Sequence, residues 1–292
     1  MKKVLQIGKV GQLGWELLRT CAPLGEVVAL DYPDVDLSDS KSLRELVRSV
    51  KPDVIVNAAA YTNVDKAESE PEKARAINAT GPGVLAEEAK KTNAVLVHYS
   101  TDYVFDGTKG SPYIETDQPN PLNVYGLTKL EGEQAIAASG CANLVLRTSW
   151  VYSMRQGGFV TKVLQWARTQ EVMRVVDDQI SGPTSARLLA EISALLLAKI
   201  DGAGFGWVEE HSGIYHVAGD GACSRYDWAK TILELDPRKE DQIVRKLERA
   251  SSSEFQVPAN RPMISVLNND KLELTFSLRL PFWEVGLRLT IL

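Results

Sequence analysis

Cysteine, histidine and long apolar runs are all scarce in this 292-residue chain. Its three cysteines, Cys21, Cys141 and Cys223, are too scattered for a metal ribbon, and an odd number cannot pair completely, so they read as reduced thiols. His98, His211 and His216 lack the spacing of a metal-binding histidine pair, and each reads as structural; no metal site is expected. No stretch approaches the roughly 20 apolar residues of a membrane span. The opening Met1-Lys2-Lys3 is followed by an apolar run that stops at Gly8, too brief for a signal-peptide core. These shortages predict a cytoplasmic protein with no membrane partner. A net charge of -5 gives no reason to expect a nucleic acid polymer.

What is present is an ordinary globular composition, 44% apolar and 24% charged, in a chain long enough for one large α/β unit or two modest ones. Short apolar runs rich in β-branched residues alternate with segments of helical period. That alternation predicts an α/β fold with a doubly wound parallel sheet of Rossmann type. Strands are expected over 4–7, 27–30, 54–58, 94–99 and 144–147, and helices over 12–21, 41–50, 74–91 and 128–138. Ser40 or Ser42 is the expected cap of the second helix. Gly81, Pro82 and Gly83 predict a break in the third. After Trp150 glycine and proline become frequent, which predicts a cofactor domain over 1–150 and a smaller α/β substrate domain over 151–292, with some segments free to return to the first. Strands over 172–176 and 214–217 and helices over 183–199 and 226–235 are expected there.

The first strand runs into Gly8-Lys9-Val10-Gly11-Gln12-Leu13-Gly14 and then a helical pattern. Glycines suit a tight turn in which the backbone approaches a pyrophosphate and the helix amides point at the anion. A plain strand-to-helix turn would look similar. Asp31, about 20 residues further on at the end of the second strand, is placed to accept from an adenosine ribose, and Asp36-Leu37 to border the adenine. Asn57-Ala58-Ala59-Ala60 brings small side chains to the carboxyl edge of the sheet, for a ligand or for close helix packing.

Reduction of a carbonyl by hydride needs a proton donor, and a tyrosine serves where a nearby cation lowers its pKa. Tyr125 and Lys129 stand one helical turn apart on a common face. Tyr226 and Lys230 share that spacing, but only Tyr125 follows a strand ending in hydroxyls, His98-Tyr99-Ser100-Thr101-Asp102. Thr101 is therefore a second donor to the carbonyl oxygen, and Tyr226 a packing residue.

These segments, with Tyr103-Val104-Phe105, Asn123 to Lys129 and Arg147-Thr148-Ser149-Trp150-Val151-Tyr152, resemble the dTDP-4-dehydrorhamnose reductases, members of the extended short-chain dehydrogenase/reductase superfamily. The likeness is dense in the first half and thinner through Asp178-Gln179 and Gly182-Pro183-Thr184 to Arg261-Pro262. It implies NADH- or NADPH-dependent reduction of the C4 ketone of a nucleotide-linked sugar. In that scheme Tyr125 is the acid, Lys129 its pKa modulator and ribose ligand, and Thr101 orients the carbonyl. Asp102 and Trp150 touch the substrate, with a core aromatic as the other reading of Trp150. Arg261 is a diphosphate ligand or a solvated surface residue.

Val10 and Asn260 depart from the family pattern, where threonine and arginine are usual. Glu16 matches a position that in some members holds a bridging divalent ion, but Arg187 replaces another, so a metal-bridged dimer is not expected; a homodimer of another kind is left open. Two further functions compete: a dinucleotide-binding regulatory subunit of methionine adenosyltransferase, and a reductase or epimerase of another nucleotide sugar. The intact Thr101, Tyr125 and Lys129 favour catalysis.

Overall fold

The computed structural model describes residues 2–155 and 157–292. Its centre is a six-stranded parallel sheet. The strands β1 (Lys2–Ile7), β2 (Gly25–Leu30), β3 (Val54–Asn57), β4 (Val95–Thr101) and β5 (Asn143–Thr148) come from the first half of the chain, and Gly213–His216 adds the sixth from the second half. Across the sheet the order is Gly213–His216, β5, β4, β3, β1, β2. The chain thus winds from β1 outward to β2, then crosses back to β3, and the crevice beyond the carboxyl ends of β1 and β3 is where such sheets bind ligands.

Every residue of β3, β4 and β5 is buried, as strands covered on both faces must be. One face packs under the helix α1 (Gln12–Cys21) and the long helix Ala186–Ala203, through Leu17, Leu189 and Leu196. The other packs under α2 (Ser40–Val50) and the helices Gly81–Thr92 and Val124–Ser139, through Leu43, Leu85 and Ile136. A third cluster in the second half gathers Tyr152, Trp228 and Trp283. Beside it the strand Val172–Val176 pairs in parallel with Lys246–Ala250.

Three local expectations need correction. The cap of α2 is Asp39, whose carboxylate accepts from the amides of Lys41 and Ser42, because the helix already begins at Ser40 and both serines lie inside it. No break falls at Gly81-Pro82-Gly83. The chain stays helical from Pro71–Arg75 through a π-helical stretch, Ala76–Thr80, into Gly81–Thr92. Proline is tolerated there because it sits in the first turn after the π stretch, and Gly81 is required by a close approach, since a Cβ on it would lie 2.5 Å from the Leu37 carbonyl oxygen. Finally, the helix carrying Lys129 begins at Val124 rather than at residue 128, capped by Asn123 on the amide of Gly126, so Tyr125 is itself helical.

Candidate active site

The loop after β1 shows why its glycines are there. Gly8 has φ +95°, and a Cβ on it would meet the Ala59 nitrogen at 2.7 Å. A Cβ on Gly14 would lie 1.6 Å from the Gly8 carbonyl oxygen. The hypothetical Cβ of Gly11 has nothing nearer than the Gly8 oxygen at 3.9 Å, so the loop presents an open backbone cradle there. Gly11 precedes α1 without any side-chain cap, which leaves the first amides of the helix free to face an anion.

This cradle forms one wall of a cleft of ≈ 1030 Å³ that collects residues from five strand ends. Gly8, Gly11, Gln12, Leu13 and Asp31 line it on one side, and Ala58, Ala59 and Ala60 form its floor. Thr101, Asp102, Tyr125, Lys129 and Trp150 line the rest. Asp36 and Leu37 border an adjoining cavity of ≈ 360 Å³ that also meets Asp31, Ala59 and Ala60. Gly14 lies beneath the loop, its carbonyl held by the Gln6 amide at 2.7 Å. Asp31 already accepts from the backbone amides of Val10 (2.8 Å) and Tyr32 (2.9 Å), which ties the end of β2 to the glycine loop and fixes its carboxylate.

Tyr226 and Lys230 are not in the cleft. Arg249 covers the Tyr226 ring at 4.1 Å, and Lys230 pairs with Glu234 on the surface at 3.9 Å. Arg261 does not line the cleft either, and it is not a solvated surface residue: it is largely buried and held by Asp65 at 2.7 Å.

The chemistry of Tyr125 and Lys129 differs from the expectation. Burial is the dominant influence on the Tyr125 phenol and pushes its pKa up, with the neighbouring Thr101 hydroxyl opposing. Lys129 does not pull it down in this conformation, because the ammonium head is engaged elsewhere: it donates to the Tyr99 carbonyl at 2.6 Å and meets His98 Nε2 at 3.0 Å. Burial lowers Lys129 to about 8, with Glu133 acting against that shift. Thr101 gives its hydroxyl proton to Asp102 at 3.1 Å and accepts from the Tyr103 amide. Asp102 is surrounded by hydroxyls, Ser265 at 2.6 Å and Ser181 at 3.3 Å, and burial raises it to about 6.

Trp150 stands at φ +41°, a rare conformation for a bulky residue and a frequent mark of a functional site. Trp228 stacks on its ring at 5.5 Å, and the Arg225 guanidinium lies 4.1 Å from its centre. Arg225 was not foreseen from sequence. It bonds Gln179 at 3.2 Å and interacts with Tyr103, and among the described residues it has no carboxylate partner. Nothing local flags it, since packing alone joins it to Trp150. Arg155, which lines the cleft mouth and stacks on Trp15 at 4.1 Å, was missed for the same reason. His98 was read as structural, yet it touches the lysine of the site. Strand alternation gives the missing signal, because residue 98 falls on the same face as Ser100, toward the helix that carries Lys129.

The parallel sheet with its glycine loop defines a Rossmann-type protein. The family model described as the RmlD substrate binding domain matches residues 1–291. The dTDP-4-dehydrorhamnose reductase of Escherichia coli K12 is 42% identical over 98% of this chain and 95% of its own. Among solved structures, a dTDP-4-dehydrorhamnose reductase from Clostridium acetobutylicum superposes with a TM-score of 0.89 at 36% identity, covering 99% of this chain and 98% of that one. One from Bacillus anthracis, in complex with NADP, gives 0.90 at 32% identity over the same shares. The chain belongs to the RmlD family.

Proposed function

We propose that this protein reduces the C4 ketone of dTDP-4-dehydro-L-rhamnose to dTDP-L-rhamnose with NADH or NADPH. The observation that carries the reading is the single cleft in which the backbone cradle of Gly8 to Gly14 meets Thr101, Tyr125 and Lys129. The residues fit a dinucleotide: Gly11 leaves room for a pyrophosphate at the free amides of α1, Asp31 accepts from the adenosine ribose, and Asp36 and Leu37 flank the adenine. The chemistry a reduced nicotinamide supplies in such a cleft is a hydride for the carbonyl carbon. Tyr125 gives its proton to the oxygen that becomes the alcohol. The phenol is protonated at neutral pH, the form an acid must hold before it acts.

Lys129, one turn along the same helix, orients the cofactor ribose and stabilises the phenolate that Tyr125 becomes. Thr101 turns its proton from Asp102 to the carbonyl oxygen. Asp102 and Trp150 meet the sugar, and Arg261, drawn from Asp65, meets the diphosphate. In this scheme residues 1–150 hold the cofactor and 151–292 chiefly the substrate.

The deciding experiment supplies dTDP-4-dehydro-L-rhamnose with NADH or NADPH and follows loss of absorbance together with the sugar product. Stoichiometric formation of dTDP-L-rhamnose is the expected result. Folded protein that binds the cofactor but turns nothing over refutes the reading.

A further inference from the structure

The strand β4 carries a titratable side chain, His98, that the reaction above does not use. It is wholly buried, and both ring nitrogens are engaged. Nδ1 lies 3.1 Å from Asn57 Nδ2, and Nε2 lies 3.0 Å from Lys129 Nζ. The far end of this hydrogen-bonded chain is anchored too, for the Asn57 side-chain oxygen Oδ1 accepts from the Ala59 amide at 3.2 Å, and Ala59 lines the cofactor cleft.

A neutral imidazole has one proton and one lone pair, so it can serve both contacts in only two ways. With Asn57 donating to Nδ1, the ring proton sits on Nε2 and points at Lys129, which must then be an amine. With Lys129 as an ammonium donating to Nε2, the proton sits on Nδ1 and must be accepted by the Asn57 oxygen, which requires that amide to turn away from Ala59. Imidazolium is disfavoured in both cases by burial, and in the second also by the charge of Lys129, so that His98 is held well below its ordinary pKa.

We propose that His98 is a positioning residue for Lys129 whose tautomer switches together with the charge of that lysine, linking the proton state of the catalytic centre to Asn57 at the cofactor edge of the sheet. This rests on the assignment of Lys129 to the active site. The proton count balances: the Nε2 proton passes along its hydrogen bond to the Lys129 amine, one proton from solvent reaches Nδ1 when the Asn57 contact opens, and the net change is one proton gained by Lys129 with no charge left on the ring.

Other ionisable groups around the pair do not replace this control. Glu133, on the helix of Lys129, is already bound by Arg147 of β5 at 2.6 Å and by Ser100 of β4 at 2.5 Å. The Tyr99 phenol turns to Ser193 of the helix Ala186–Ala203 at 2.7 Å. Tyr125 and Asp102 face the cleft, and β3 contributes only the neutral Asn57.

Long-range proton–nitrogen NMR of histidine-labelled full-length protein tests this without reference to turnover. His98 is assigned by its absence from His98→Gln or, if that variant does not fold, by elimination using His211→Gln and His216→Gln. Between about pH 6.5 and 9.5, His98 should pass from the Nδ1–H to the Nε2–H tautomer without an imidazolium signal, with its midpoint near the lysine titration. In Lys129→Met it should stay Nε2–H throughout, because only Asn57 then sets the ring. A wild-type tautomer that does not change over this range, or a charged ring, overturns the proposal. Where His98→Gln folds, the ionisation seen in kcat/KM should move upward by about one pH unit, since an amide oxygen accepts from the ammonium form. A profile coincident with wild type argues against the proposal. Absence of reductase activity alone would instead count against the function proposed above, because the tautomer is read without substrate.

Discussion

Glu88 and Asp102 are buried to nearly the same degree, 1% and 2% exposed, and their surroundings drive them in opposite directions. Glu88 lies between α2 and the helix Gly81–Thr92, where Arg48, Lys91 and Arg44 reach it at 2.6, 2.9 and 3.1 Å. Its pKa falls to about 2, chiefly through the bond from Arg48. Asp102 lies at the end of β4 with the hydroxyls of Thr101, Ser181 and Ser265 as its side-chain hydrogen-bond partners, and burial lifts it to about 6. A buried carboxylate in the helix layer is neutralised by cations and serves the fold. Among the described residues the one in the cleft has no cation paired directly to it, Arg225 acting on it only from a distance, at a cost to stability, where a ligand will arrive.

The largest expected effect is on the cleft side of that contrast. Tyr125→Phe should lower kcat by about 10² to 10⁴ while cofactor affinity and melting temperature hardly change, because it removes the acid and little of the packing. Half of wild-type activity in that variant would break the assignment. Trp150→Ala should reduce turnover and also lower the melting temperature, because the ring packs against both Arg225 and Trp228. Lost turnover with unchanged stability would show that the stack contributes little.

Glu88→Gln and Asp102→Asn should move stability in opposite senses, each by about 1–3 kcal/mol at neutral pH. The stabilisation from Glu88, whose folded pKa is depressed, is present above about pH 4.3 and lost as the pH falls through about 2. The glutamine variant should therefore be less stable at pH 7, converge on wild type in acid, and keep its kcat. Asp102 has a raised folded pKa, so its destabilising effect grows as the pH rises from about 3.9 to about 6 and is complete above that. Asp102→Asn should be the more stable protein at pH 7 and should lose that slope. Urea titrations across this range, with both variants on the same side of wild type, would break the comparison. The smallest effect concerns the cofactor: NADH should serve at least as well as NADPH, because a 2′-phosphate brings like charge toward Asp31, and Asp31→Ala should shift the ratio toward NADPH by about tenfold. A strong wild-type preference for NADPH, unchanged by the substitution, would show that Asp31 does not select.

The parts of the fold that could be read from sequence are those with a local cause. Strands β1 to β5 appear within two residues of their expected ends, because a sheet covered on both faces needs short apolar runs. The glycine loop and the Tyr125–Lys129 spacing were legible for the same reason. What was not legible depends on contacts between distant segments. The direction in which the Lys129 head points is set by Tyr99 and His98, 30 and 31 residues away. The pairing of Arg261 with Asp65 spans 196 residues. The uninterrupted helix through Gly81 escaped because the same glycine that weakens a helix also admits a close neighbour, and only packing shows which role prevails.

The sixth strand, Gly213–His216, is hydrogen-bonded to β5 in a register that pairs Ile214 with Val145. This makes the two halves of the chain partners in one hydrogen-bonded network rather than separable modules. A polypeptide ending at residue 150 would have β5 as a bare margin and would lack the helix Ala186–Ala203 that shields α1. Such a margin is a template for self-association. During synthesis the cofactor half must therefore wait, with that border exposed, until more than 60 further residues have emerged to complete it.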